Sequence, residues 1–260
     1  MTKYLHDSVI PFRDSPHNKK EQIAEMFDGI AFRYDFLNRF LSGGIDRYWR
    51  RKAISELLPL QPRFILDVAT GTGDMPILMS KYLSPEKITG IDISEGMLQI
   101  GKLKTQKLQL GKLIVLEIGD AEALSYPDNG FDAITVAFGV RNFADLEKGL
   151  TEMFRTLRPG GKLVVLEFSK PKLRGFKGLY RFYMRRVATG IGRLISKSPE
   201  AYAYLEESVH SFPEGDDFLS ILSHAGFREN QAKPLSLGIC TLYTGVKPGK
   251  KTLETWKQVC

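Results

Sequence analysis

Apolar side chains recur at every third or fourth position along residues 19–41, which predicts one long amphipathic helix. Gly29 is the only interruption of this stripe, and Ser42-Gly43-Gly44 ends it. The apolar positions are Ile23, Met26, Phe27, Ile30, Tyr34, Leu37 and Leu41. A second, shorter helix is predicted through Trp49 to Leu58, before prolines at positions 59 and 62. The first part of the chain is therefore expected to be helical.

From residue 63 the pattern changes to short apolar runs separated by helical stretches. Five runs predict buried strands, at residues 63–69, 87–92, 112–118, 131–138 and 162–168. Alternating strands and helices are typical of a parallel sheet covered on both faces. Two more runs, 226–233 and 238–246, follow each other without a helix between them, which predicts an antiparallel hairpin at the edge of the sheet. The expected class is therefore a doubly wound, mostly parallel α/β fold.

Composition places the chain among ordinary globular proteins. It has 260 residues, of which 43% are hydrophobic and 26% charged, and its apolar stretches are too short for a transmembrane helix. The polar N-terminus lacks the apolar core of a signal peptide. With only two cysteines, Cys240 and Cys260, a disulfide framework and a cysteine-based zinc site are excluded. We expect a protein of the reducing cytoplasm.

The positive charge is concentrated in one segment. Lys170 to Lys197 contains nine basic residues and no acidic one, which exceeds the net charge of +7 of the whole chain. The rest of the chain is therefore slightly acidic, and a nucleic-acid-binding surface is not expected.

A glycine-containing turn follows the first predicted strand, from Asp67 to Asp74. Such a turn brings backbone amide groups close to a ligand at a helix N-terminus, although a tight turn without a ligand is the alternative. A P-loop is excluded because no Lys-Ser or Lys-Thr pair follows, and the third glycine of a dinucleotide fingerprint is replaced by Pro76. The carboxylate of Asp74 would repel a pyrophosphate and favour a cationic ligand. S-adenosylmethionine, with its sulfonium and ammonium groups, fits this requirement.

Acidic residues also end the next two strands. Asp92 stands where a carboxylate binds ribose hydroxyls, although an N-terminal helix cap is the alternative. Gly119-Asp120-Ala121 closes the third strand, where the amino edge of an adenine could bind. Together with Asp74, these residues are three acids after consecutive strands, and this pattern favours a nucleoside-containing ligand.

Other chemistries find little support in the sequence. The histidines, at positions 6, 17, 210 and 224, have no metal-ligand spacing, so no metal site is expected. No G-x-S-x-G nucleophile elbow is present. His210 is a weak candidate for a base, against the simpler interpretation of a solvated or core histidine.

Several motifs together resemble the ubiquinone/menaquinone C-methyltransferase family. LDVATGTGDM is generic to methyltransferases, whereas FGVRNF and FRYDFLNRFLSGG are specific to this family. The resemblance covers about residues 18–247 and implies a class I methyltransferase fold with a seven-stranded sheet and an antiparallel C-terminal strand. It implies one domain over residues 1–260, with an N-terminal helical cap at 18–58 and a helical insertion on the substrate side at 170–212.

The resemblance also implies a cofactor site for S-adenosylmethionine. The residues concerned are Gly71, Thr72, Asp92, Asp120 and Ala121. Two positions depart from the family pattern: Asp120 stands where Asn is frequent, and Ala137 where some members have Ser.

The implied reaction is methylation of a ring carbon of a polyprenylated quinol, which requires loss of a hydroxyl proton. Arg141 and Asn142 follow the fourth strand and are the candidate catalytic residues. The guanidinium of arginine keeps its proton at neutral pH and therefore cannot act as a base. Arg141 is interpreted instead as a cation that lowers the pKa of the quinol or orders a proton-accepting water. Asn142 would orient the ring oxygens. In the alternative, Arg141 forms a structural ion pair and Asn142 caps the helix that begins at Asp145.

We expect demethylmenaquinol as the acceptor, with a benzoquinol or another small aromatic or lipid acceptor as alternatives. A non-catalytic S-adenosylmethionine-binding or RNA-binding module is the alternative from another class. RNA binding would place exposed aromatic residues on strands, but Phe176, Tyr180 and Tyr183 follow a helical spacing. The oligomeric state is not predicted.

Residues 174–197 combine an apolar helical stripe with basic residues. Lys177, Arg181 and Arg185 recur every four residues beside the stripe, which predicts a basic amphipathic helix in a membrane interface. The alternative is that the stripe packs on the sheet. The stripe consists of Phe176, Tyr180, Tyr183, Val187, Ile191 and Leu194. Peripheral contact with the inner face of the cell membrane is therefore expected.

Overall fold

The computed structural model describes residues 4–171 and 199–249. Their centre is one seven-stranded sheet with the order β3-β2-β1-β4-β5-β7-β6. The strands are β1 Phe64–Val68, β2 Lys87–Asp92, β3 Ile114–Ile118, β4 Phe131–Ala137, β5 Leu157–Phe168, β6 Arg228–Leu235 and β7 Cys240–Val246. Strands β1 to β5 run parallel, and β7 is antiparallel to both β5 and β6. The predicted mostly parallel sheet with a C-terminal antiparallel hairpin is confirmed, and β7, the last strand, lies inside the sheet while β6 forms the edge.

Seven α-helices are found in the described residues. They are α1 Lys19–Leu41, α2 Asp46–Ser55, α3 Asp74–Tyr82, α4 Glu95–Lys107, α5 Leu146–Thr156, α6 Pro199–Ser211 and α7 Asp216–His224. The helix predicted over 19–41 is confirmed without a break at Gly29, and it ends where Gly43 and Gly44 take positive φ angles of 59° and 80°. The second predicted helix ends at Ser55, and a short 3₁₀ turn at Leu58–Leu60 follows it.

The sheet is buried on both faces, as the apolar strands require. Ile65 contacts the layer formed by α2, α3 and α4, whereas the next residue, Leu66, contacts the layer formed by α5 and α7. Neighbouring residues of one strand point to opposite faces, so both helical layers share the strands as a common core. The doubly wound arrangement is therefore confirmed.

The turn expected before the fifth strand lies within that strand. Phe131 pairs with Leu157 and Ala133 pairs with Lys162, so residues 158–161 form a bulge. Gly160 has a φ of +82° and donates its N–H to the carbonyl of Lys247 at 2.7 Å, which ties the bulge to the chain after β7.

The segment 174–197, in which a basic amphipathic helix in a membrane interface is predicted, lies outside the described residues, which resume with α6 at Pro199. In the described part of the chain, no helix is long and apolar enough to cross a membrane.

Candidate functional site

The carboxyl ends of β1, β2 and β4 and the loop after β3 surround a pocket of about 470 Å³. The structure brings four of the predicted site residues to this pocket: Asp92, Asp120, Ala121 and Asn142. Gly71 and Thr72 line a second pocket of about 310 Å³. Both pockets are lined by Ala69, so they adjoin each other.

The glycine loop is fixed by the strands on either side of it. Gly71 and Gly73 have positive φ angles of 56° and 77°, and α3 begins directly after them. The Thr70 N–H donates to the carbonyl of Ile91 at 2.9 Å. Helix α4 packs against the loop through Gly101, where a Cβ atom would lie 3.1 Å from the carbonyl carbon of Thr72. The loop is therefore a rigid part of the site.

Asp92 ends β2 as a buried carboxylate held by backbone donors. One oxygen accepts the Gly71 N–H at 2.8 Å and the other accepts the Ser94 N–H at 2.9 Å. Helix α4 is capped by Ser94, whose Oγ accepts the Met97 N–H, so Asp92 is not the cap. Burial raises the pKa of Asp92 from 3.8 to about 6, although the backbone hydrogen bonds oppose this shift. Among the described residues no lysine or arginine forms an ion pair with it.

In the sequence, the charge of Asp74 suggests a role in selecting a cationic ligand, but in the structure this carboxylate is paired with cations of the protein. Lys104 contacts the carboxylate directly, and Arg39 lies 4.0 Å from it. Burial alone would raise the pKa of Asp74, but these cations lower it below its usual value. Asp74 lines the second pocket, but its charge is balanced by cations of the protein.

One such carboxylate, Asp67, lies in the second pocket and was not singled out in the sequence. It is 1% exposed and accepts hydroxyl hydrogen bonds from Thr70 at 2.7 Å and from Thr135. Burial raises its pKa from 3.8 to about 6. The same pocket contains Arg50 of α2, which is 8% exposed and whose Nε has no hydrogen-bond partner in the described residues. The second pocket therefore places a carboxylate and a guanidinium around one cavity.

The sequence contains a signal that could have pointed to Asp67, and a weaker one for Arg50. Asp67 interrupts the apolar run RFILDVA, and an acid inside a buried strand usually serves a specific partner. Arg50 follows Trp49, but only the packing of α2 onto the sheet shows that its side chain is buried.

Helix α1 lies across the site and contacts it at three levels. Lys20 pairs with both Asp120 and Glu122 at 2.7 Å. Asp28 accepts the Ser94 hydroxyl at 2.5 Å and the Gly96 N–H at 2.8 Å. Further contacts are made by Asp35, which accepts the Thr72 hydroxyl at 2.5 Å and pairs with Lys104 at 2.8 Å. These contacts join α1 to the β3 loop, to α4 and to the glycine loop.

Arg141 and Asn142 form a short 3₁₀ turn after β4. Arg141 is not among the residues that line these two pockets, and it is paired with Glu167 at 2.9 Å. Asn142 lines the larger pocket, and its Oδ1 accepts the Tyr204 hydroxyl at 3.1 Å. The next helix, α5, is capped by Asp145, which accepts the Lys148 N–H, so the capping alternative for Asn142 is wrong. The ion pair expected in the alternative for Arg141 is present.

The remaining candidates have no such setting. His210 is exposed on α6. No group of metal-binding side chains is found in residues 4–171 and 199–249.

Comparison with known proteins identifies the chemistry associated with this arrangement. The model of the ubiE/COQ5 methyltransferase family matches residues 16–247. A demethylmenaquinone methyltransferase of Bacteroides fragilis is 47% identical over 244 residues, covering 94% of this chain and 99% of the relative. A ubiquinone/menaquinone biosynthesis C-methyltransferase, UbiE, of Geobacter sulfurreducens is 45% identical, covering 88% of this chain and 90% of the relative. The crystal structure of a SAM-dependent methyltransferase from Aquifex aeolicus shares the fold with a TM-score of 0.52 at 22% identity, covering 71% of this chain and 82% of that one.

Proposed function

Because the chain belongs to the ubiE/COQ5 methyltransferase family, and is therefore an S-adenosylmethionine-dependent C-methyltransferase, we propose that it methylates a ring carbon of demethylmenaquinol to give menaquinol. The observation that carries this proposal is Asn142, which lines the larger pocket beside the buried Arg141. Benzoquinol methylation is the second candidate, favoured by the likeness to the relative from Geobacter sulfurreducens, whose printed name includes ubiquinone.

The residues present fit S-adenosylmethionine. The carboxylate of Asp92 is held in place by two backbone N–H groups, and an acceptor fixed in this way suits the two ribose hydroxyls. Asp120 and Ala121 line the same pocket and would hold the adenine, while Gly71 and Thr72 line the second pocket. An elongated ligand would pass Ala69 from one pocket to the other.

The second pocket supports the amino-acid end of the cofactor. An α-amino acid group carries an ammonium and a carboxylate, and Asp67 and Arg50 provide the two opposite charges around one cavity. The Nε of Arg50 lacks a partner in the described residues, and a buried donor without an acceptor costs about 1–3 kcal/mol. A bound carboxylate would supply that acceptor.

When bound, S-adenosylmethionine supplies an electrophilic methyl group. The chain's own residues must place the ring carbon and stabilise the phenolate that makes it nucleophilic. Arg141 provides a positive charge that lowers the pKa of the quinol hydroxyl, and Asn142 orients the ring oxygen.

Two segments complete the proposed site. Residues 18–58 act as an N-terminal cap, supported by the three contact levels of α1. Residues 170–212 cover the substrate side, supported by the Tyr204–Asn142 hydrogen bond from α6. Together with the sheet they form a single methyltransferase domain over residues 1–260.

A methyl-transfer assay tests the proposed function. The purified protein is incubated with labelled S-adenosylmethionine and a reduced, short-chain demethylmenaquinol, with the corresponding benzoquinol and bulk RNA in parallel. We expect labelled menaquinol as the main product. Faster transfer to the benzoquinol would establish the second candidate, and transfer to RNA alone would refute both.

Cofactor affinity is expected to fall as the pH decreases below about 6. Both Asp67 and Asp92 have a pKa raised to about 6 by burial, and the cofactor needs their ionised forms. The Kd should therefore rise up to about tenfold per pH unit for each carboxyl that must lose its proton. Calorimetric titration between about pH 5 and pH 8 measures this, and a Kd independent of pH would contradict it.

The free protein should respond with the opposite sign. Asp67 and Asp92 bind protons more tightly in the folded state than in the unfolded chain. Their contribution to the free energy of unfolding therefore decreases as the pH rises from about 4 to about 6.

The enzyme is further proposed to reach its lipid substrate as a cytoplasmic protein bound peripherally to the inner face of the membrane. The support is the basic amphipathic pattern of residues 174–197. Each Lys or Arg near an anionic surface contributes about 1 kcal/mol, so reversible binding needs only part of this segment.

Changing Lys177, Arg181 and Arg185 together to Glu is expected to abolish co-sedimentation with anionic liposomes at low salt. The matched control changes three exposed lysines elsewhere, Lys102, Lys107 and Lys112, to Glu, which alters the net charge equally. Equal binding of the two variants would rule out a specific membrane-binding segment.

A further inference from the structure

Glu167 is a buried carboxylate that neither the sequence motifs nor the proposed reaction assigns to the site. It lies near the end of β5 and is 0% exposed. Burying a carboxylate is costly unless it is paired and hydrogen-bonded. Its Oε1 accepts the Phe168 N–H at 2.8 Å and Nη1 of Arg141 at 2.9 Å, and its Oε2 accepts the Arg141 N–H at 3.4 Å. Glu167 therefore contacts both the backbone and the side chain of Arg141.

The guanidinium of Arg141 is fixed on one side only. Its Nη1 also donates to the carbonyl of Phe138 at 2.6 Å, and the group lies 5.6 Å from the centre of the Phe168 ring. Phe138 has a φ of +63°, and a Cβ atom at the following Gly139 would lie 2.5 Å from the Cβ of Ala69. This close approach fixes the loop that presents the carbonyl.

On its other side the guanidinium has no partner within residues 4–171 and 199–249. In the described residues neither Nε nor Nη2 of Arg141 has a hydrogen-bond acceptor, and Nε is buried. The Nε and Nη2 donors form the edge with which arginine binds an oxygen anion in bidentate fashion. Because Glu167 binds Nη1 instead, it balances the buried charge and leaves this edge unpaired in the described residues.

We propose that Glu167 is a positioning residue that holds Arg141 so that its Nε–Nη2 edge meets the phenolate oxygen of the quinol. This inference rests on the proposed function, in which Arg141 stabilises that oxygen. A carboxylate on the Nε–Nη2 edge would occupy the two donors that this proposal assigns to the substrate. A guanidinium without Glu167 would lose its orientation and its charge partner.

Two substitutions separate the effect of the length of the Glu167 side chain from the effect of its charge. Glu167→Asp keeps the charge but is one methylene shorter, so it cannot bind Nη1 and the Phe168 N–H together. It is expected to lower kcat roughly 100-fold, as a misplaced catalytic group does, with the Kd for S-adenosylmethionine changed less than about twofold. Glu167→Gln keeps the reach but leaves a buried cation unpaired, so it should lose more thermal stability and yet retain more activity.

The matched control is Glu152→Asp. Glu152 also joins a backbone N–H, that of Leu124, to an arginine, Arg155, but on α5. It is expected to leave kcat within about twofold of the wild type. If kcat followed the melting temperature across all three variants, Glu167 would be structural only.

A double-mutant cycle asks whether Glu167 acts through Arg141. In an Arg141→Met background, adding Glu167→Asp is expected to lower kcat no further than about twofold. An equal loss in both backgrounds would overturn the proposal.

The orientation is also measured without substrate. The Nε–H proton of Arg141 is followed through its ¹⁵Nε signal, which is assigned by its absence in Arg141→Met. Because Nε is buried, this proton is expected to exchange slowly with solvent in the wild type and to lose this protection in Glu167→Asp. Unchanged protection would overturn the proposal. If the wild type failed to methylate the quinol, the proposed function would be refuted, while this signal would still decide whether Glu167 positions Arg141.

Discussion

Replacing Asp92 with alanine is expected to weaken S-adenosylmethionine binding by about 1.5–3 kcal/mol, or roughly 10- to 150-fold in Kd. The carboxylate is proposed to accept the ribose hydroxyls, and it also holds the Gly71 N–H at 2.8 Å. The substitution therefore removes a ligand contact and loosens the loop that lies beside it. Isothermal titration calorimetry measures the change directly.

Asp132→Ala is the matched control for this prediction. Asp132 accepts two backbone N–H groups, from Arg63 and Phe64, at the opposite end of the sheet. Its loss should lower stability but leave cofactor affinity nearly unchanged, because no pocket residue contacts it. Unchanged affinity in Asp92→Ala, or an equal loss in Asp132→Ala, would refute the assignment of Asp92 to the ribose.

Replacing Arg141 with lysine is expected to lower turnover by about 2.7–4 kcal/mol in activation free energy, or roughly 100- to 1,000-fold, with cofactor affinity nearly intact. Lysine keeps the positive charge and can still pair with Glu167, but it has no Nε–Nη2 edge. The proposed donor to the phenolate is therefore lost while the buried charge stays balanced. Measurement of kcat and of the cofactor Kd in the same variant separates the two effects.

Arg155→Lys provides the control, since Arg155 pairs with Glu152 and Asp128 away from the pockets. It should keep wild-type turnover. Loss of cofactor binding in Arg141→Lys would instead show that Arg141 supports the cofactor pocket structurally. This is the alternative that its ion pair with Glu167 favours.

The two predictions divide the site into separate parts. Asp92, which is proposed to bind the cofactor, joins the end of β2 to the glycine loop, whereas Arg141 is paired with Glu167 of β5. A buried ion pair contributes little net stability because desolvation offsets the attraction. The pair between Arg141 and Glu167 is therefore better explained by the orientation it gives to the guanidinium than by the stability of the fold.

The architecture and the position of the glycine loop could be predicted from the amino-acid sequence alone. Periodicity is a local property, so the long first helix, the alternating strands and the final hairpin could all be predicted from neighbouring residues. The glycine loop and Asp92 follow strands directly, and the carboxyl ends of parallel strands meet at one edge. Family membership came from contiguous motifs such as FGVRNF.

The pairing of the charged groups, in contrast, became known only from the folded chain. Asp74 is neutralised by Lys104, which lies thirty residues away in sequence, and Arg141 is paired with Glu167 across two strands. Arg50 and Asp67 meet at one pocket although α2 and β1 are separate elements. Electrostatic interactions and burial depend on distances in space, and no local pattern encodes these distances. For this reason the elements were predictable, whereas the partners of the site's charged groups were not.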